Sequence, residues 1–125
     1  METALIKSVE KIYRCGKGMG MNFSQDVLGD VCLIQRRLDL NYNMAIIFSV
    51  ALGLQIDEAR CSPQAILTYL GFDKWESLAL FEDFLEIFKR ATLIDVDFST
   101  MMGQAFTVNR DAIRILCNPN EYIEI

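Results

Sequence analysis

The chain has 125 residues, 52% of them hydrophobic and 23% charged, which suits a folded domain with its own core and excludes a disordered tail. Its net charge is -5, unevenly spread: residues 1–40 carry six Lys and Arg against five Asp and Glu, and residues 41–125 carry six against twelve. So acidic a body argues against a polyanionic partner, because phosphate contacts supply most non-specific nucleic-acid affinity.

In chain order, TALIKSVEKIYR (3–14) predicts an amphipathic helix with Leu5, Ile6, Val9, Ile12 and Tyr13 at helical spacing. CGKGMGMN (15–22) breaks it. Ser24 is a good N-cap for a second helix over 25–38, in which Val27, Leu28, Val31 and Ile34 are apolar. A third helix, at about 42–56, is apolar nearly all round and belongs at the centre of the core. Ser62-Pro63 starts a short helix and Gly71 stands where a C-terminal glycine cap belongs. A longer helix is expected over about 74–91. Leu93–Asp97 and Gln104–Val108 then read as short strands, and Asn109 caps a last helix over 110–117 that ends before Pro119.

The most apolar run, MAIIFSVALGL (44–54), has 11 residues, short of the roughly 20 that span a bilayer. The N-terminus does not read as a secretory signal, so a cytoplasmic protein without a membrane partner is expected. Cys15, Cys32, Cys61 and Cys117 lack CxxC spacing, and histidine is absent, so buried, reduced thiols are expected and a zinc site is not.

GKGMG (16–20) invites a nucleotide reading, but a helix precedes it where a phosphate loop needs a strand, and the Lys-Ser/Thr of a P-loop is missing. It is expected to be a hinge between two helices. A serine or cysteine nucleophile lacks a histidine base, and the carboxylate pairs Asp57-Glu58, Glu82-Asp83 and Asp95/Asp97 fit solvated faces and turns. A non-enzyme without cofactor or metal is expected.

The element order over 42–117 resembles the winged-helix fold: long helix, short Ser-Pro helix, turn, long helix, hairpin, closing helix. SPQAILTYLGF, the helix through Phe88 and LIDVD…GQAFTVN carry that resemblance. It implies a mainly α fold, a single domain over 1–125. That domain would have a three-helix core with one β-hairpin wing over 42–117 and two additional N-terminal helices over 1–40. With FxxFLEIFKRATLID (81–95) and GQAFTVN (103–109), the chain also looks like the small N-terminal modules that precede the ATPase core of bacterial AAA proteins. Such modules bind substrates, adaptors or neighbouring subunits, which implies a non-catalytic protein-interaction or regulatory domain, with any ATPase outside these residues.

On the long helix, Trp75, Leu78, Phe81, Leu85 and Phe88 form an apolar stripe widened by Leu80, Phe84 and Ile87. Glu76, Asp83, Glu86 and Arg90 remain outside it, with Glu82 and Lys89 at the margins. This acidic stripe is a candidate partner-binding face or a plain solvated face, and either excludes the usual insertion into DNA. The wing tip adds Phe98, Met101 and Met102 as candidate partner contacts, since methionine suits surfaces that meet varied partners. The alternative is a winged-helix DNA-binding regulator, with a homodimer as one arrangement, docking through Lys7, Lys11 and Arg14 with Arg36 and Arg37.

Overall fold

A computed structural model describes residues 5–90, 94–95 and 107–117. The fold is mainly helical. Helices α1 (Ile6–Gly16), α2 (Gln25–Leu38), α3 (Tyr42–Ile56) and α4 (Pro63–Leu70) come first. A short helix α5 (Lys74–Ser77) then runs through a 3₁₀ turn (Leu78–Leu80) into α6 (Phe81–Phe88). Strands β1 (Ile94–Asp95) and β2 (Thr107–Val108) follow, and α7 (Arg110–Cys117) closes the order. No helix among the described residues is long and apolar enough to cross a membrane.

Helix α3 is the axis of the core. Every residue from Met44 to Leu54 is buried, as its all-round apolar sequence requires. Its N-terminus is closed by Asn41, whose side chain accepts from the Met44 amide at 2.8 Å. The one hydroxyl at its centre, Ser49, donates to the Ala45 carbonyl at 2.8 Å and is thereby satisfied. Helices α1, α2, α4 and α6 and strand β2 pack around it. The two N-terminal helices contribute Val9, Ile12, Val27, Val31, Ile34 and Leu38 to the same core.

Helix α4 behaves as its punctuation predicts. The Ser62 hydroxyl accepts from the Ala65 amide at 3.1 Å, and Pro63 fills the first turn. Gly71 takes φ 90°, and the amides of Phe72 and Gly71 return to the Leu67 and Thr68 carbonyls in a Schellman closure. The GKGMG loop does not behave as the expected hinge. Its Gly18 and Gly20 amides donate to the last α4 carbonyls, Tyr69 and Leu70, at 2.9 and 2.7 Å. A Cβ on Gly71 would lie 3.0 Å from the Gly18 Cα, so two glycines meet where side chains would not fit. Those amides are committed to the fold, so they cannot cradle a phosphate.

The segment expected as one long helix is broken, and its buried face is not the expected one. Asp73 and Glu76 form a reciprocal capping box at the start of α5, and a 3₁₀ turn separates it from α6. Leu80, Phe84 and Ile87 are buried, whereas Trp75 is 82% exposed, Leu78 65%, Phe81 41% and Leu85 37%. Asp83 accepts from Asn41 and Asn43 at 3.2 and 3.0 Å, which ties α6 to the start of α3.

Ile94 pairs with Val108 and Asp95 with Thr107 in an antiparallel register. Ile94 and Val108 are buried, and the Val108 amide donates to the Gln55 side chain of α3 at 2.7 Å. The rest of the two expected strands lies outside the described residues. Asn109 accepts from the Asp111 amide at 2.8 Å at the start of α7, whose Ala112, Ile115 and Leu116 are buried.

The cysteines depart from expectation. All four are free, but Cys15, Cys32 and Cys117 are exposed, each on the outer side of its helix. Cys61 alone of the four is buried, and burial pushes its thiol up to about 12.

Candidate docking surface

The outward side of α5, the 3₁₀ turn and α6 carries four of the seven large hydrophobic side chains exposed among the described residues. Leu78, Phe81 and Leu85 stand at i, i+3 and i+7, which aligns them in one row, and Trp75 extends the row at its N-terminal end. From residue 75 to residue 85 the row spans roughly 15 Å at the helical rise. Glu82 and Glu86, both exposed, form a second row one residue further round the helix. Glu82 makes no ion pair among the described residues, and Glu86 meets Lys89 at 3.3 Å on an open surface. An exposed pair of that kind contributes little.

The acidic residues singled out in the sequence divide differently. Glu76 is held in the capping box, where the Asp73 amide donates to it at 3.1 Å. Asp83 braces α6 against α3. Arg90 donates to the Leu38 and Asp39 carbonyls at 2.7 and 2.8 Å, closing the C-terminal end of α2. Three of the four thus have architectural partners, and Glu86 is the member that lies beside the exposed apolar row. Phe98, Met101 and Met102 lie outside the described residues.

The basic candidates do not form one open field. Lys11 meets Asp30 at 3.2 Å and donates to the Asp26 carbonyl at 2.9 Å. Arg14 meets Glu10 at 3.2 Å, with Lys7 at 4.0 Å from the same carboxylate. Arg36 is exposed and Arg37 half-buried in the last turn of α2, where positive charge complements the helix dipole.

Trp75, Leu78, Phe81 and Leu85 are therefore the residues that sequence reasoning misplaced, because it assigned them to the inward stripe. A signal was present: apolar residues occupy more of this segment than one helix face can bury against a single neighbour.

A smaller cavity of about 210 Å³ lies between α1 and the end of α3, lined by Ile6, Val9, Tyr13 and Ile56 among others. The Tyr13 ring lies on Gly53, stacks on Tyr69 with centroids 4.8 Å apart, and donates its hydroxyl to Asp57 at 2.7 Å. Burial, with Asp57 as acceptor, raises the Tyr13 pKa and holds the phenol neutral. It serves as a hydrogen-bond donor and packing element.

No protein-family model, curated protein or solved structure matches the chain. The functional reading rests on the geometry of the exposed row.

Proposed function

We propose that the chain is a non-catalytic protein-interaction or regulatory domain that docks a partner on the outer face of α5 and α6. The observation that carries this reading is the exposure of Trp75, Leu78, Phe81 and Leu85 in one helical row. Isolated exposed apolar residues are ordinary, but a row of four large ones is the kind of patch that meets a partner, and Trp75 is the residue type most enriched at interaction hot spots.

The fold underneath is read as winged-helix-like. The order α3, α4, α5 with α6, the β1–β2 pair and α7 supports that reading, with the strand pair in the place of a wing. The sequence stretches 62–72, 81–95 and 103–109 extend the reading to likeness with the N-terminal modules of AAA-type ATPases, which would place the partner among substrates, adaptors or neighbouring subunits in a cytoplasmic setting. The DNA-binding alternative is disfavoured. The helix that would enter a major groove presents apolar and acidic side chains, on a chain of net charge -5.

The test is a photo-crosslinking amino acid placed at exposed Ala79, beside the row, and at exposed Thr68 on α4, in the cell that makes the protein. A protein adduct is expected at position 79 and not at 68. No adduct at 79, together with salt-sensitive duplex DNA binding lost in a Lys7→Glu, Lys11→Glu, Arg14→Glu variant, would overturn the reading in favour of DNA.

A further inference from the structure

We infer that the occupant of the α5–α6 face is a cationic amphipathic helix of a partner protein: an apolar row flanked by Lys and Arg. The inference rests on the docking reading above and adds the chemistry of the partner. The shape of the face comes first. Leu78, Phe81 and Leu85 make a narrow ridge on a helix, and such ridges fit the groove between side-chain rows of a second helix. A row of roughly 15 Å corresponds to about three turns of a partner carrying apolar anchors at i, i+3 or i+4, and i+7.

Charge then selects among occupants. Glu82 and Glu86 run alongside the ridge at i and i+4, both exposed. Glu82 makes no ion pair among the described residues, and Glu86 has only the solvent-exposed Lys89 at 3.3 Å, so both carboxylates can meet cations at the rim of a docked helix. A second copy of this chain is a poor occupant. A two-fold contact repeats each patch against itself, so it would bring two acidic rows together on bodies that each carry net charge -5. A bilayer is disfavoured too, because membrane-surface helices carry Lys and Arg beside their apolar face and anionic headgroups repel carboxylates. A cationic helix satisfies both rows at once.

The test uses two synthetic helical peptides with the same leucine row, one carrying Lys and the other Glu on the remaining faces. Binding to the whole chain is followed by Trp75 emission and by calorimetry. The Lys peptide is expected to bind at least about tenfold tighter than the Glu peptide, a difference of roughly 1.4 kcal/mol, with the gap narrowing as salt is raised. Glu82→Lys with Glu86→Lys should reverse the order. Leu78→Asp with Leu85→Asp should abolish binding of the Lys peptide although it makes the protein more acidic, which separates docking from general attraction. Circular dichroism checks that each variant is folded. Equal affinity for the two peptides, lost in the Leu78→Asp, Leu85→Asp variant, would overturn the charge inference and leave the docking reading standing. Binding of neither peptide would overturn the inference. An emission shift with phosphatidylcholine vesicles and with neither peptide would overturn both in favour of a membrane surface.

Discussion

Phe84→Ala is expected to cost about 3–5 kcal/mol of stability, while Phe81→Ala, three residues away in the same helix, should cost less than about 1 kcal/mol. Phe84 is fully buried against the core, whereas Phe81 is 41% exposed on the outer row. Truncating the first removes buried area and leaves a cavity. Truncating the second removes area that water already reaches, and alanine's higher helix propensity offsets part of the loss. Thermal melts of the two variants decide the matter. A drop in Tm of more than roughly 10 °C for Phe84→Ala with little change for Phe81→Ala supports this helix phase. Equal losses would mean that both rings face the core and that the outer row is not a surface.

The second large effect concerns Gly53. In a helix interior, Gly→Ala ordinarily stabilises by up to about 1 kcal/mol, because alanine has less backbone freedom to lose. At Gly53 the sign should reverse. An added Cβ would overlap the Tyr13 ring, which cannot easily retreat because it is stacked on Tyr69 and hydrogen-bonded to Asp57. The expected cost is about 1–3 kcal/mol after the propensity gain is offset. Gly29, on the exposed side of α2, is the internal control, since an added Cβ there meets no atom within 4 Å. Gly29→Ala should therefore stabilise. Denaturant midpoints for the pair should move in opposite directions, and a shift of the same sign would contradict the close packing of Tyr13 on α3.

Much of the local chemistry was legible in the sequence where the partners are close along the chain. Ser62-Pro63 and Gly71 marked both ends of α4 and Asn109 the start of α7, whereas the Ser24 hydroxyl donates to Asp26 and makes no capping bond to α2. The all-round apolar character of 42–56 marked the central helix. The Asp73–Glu76 capping box was equally legible, and reading it would have removed Glu76 from the candidate site. What escaped depends on distant contacts. The GKGMG amides are held by carbonyls of α4, some fifty residues on. Asp83 of α6 accepts from Asn41 and Asn43, and Arg90 reaches back to the end of α2. A segment with apolar residues on two faces gives periodicity no means of choosing between them. Tertiary packing makes that choice by burying Leu80, Phe84 and Ile87, and it leaves the presumed inner stripe as the surface on which the functional proposal stands.

The central claim is that this face is open in the free protein, and the chain carries its own reporter, because Trp75 is its one tryptophan. The measurement is steady-state emission with acrylamide quenching, over a dilution series in which sedimentation records the oligomeric state. An open face gives a monomer whose emission matches fully hydrated indole and whose quenching approaches that of a free tryptophan derivative at every concentration. Blue-shifted, quencher-protected emission that persists in the dilute monomer would mean that the chain covers its own ridge, and the docking account would be wrong.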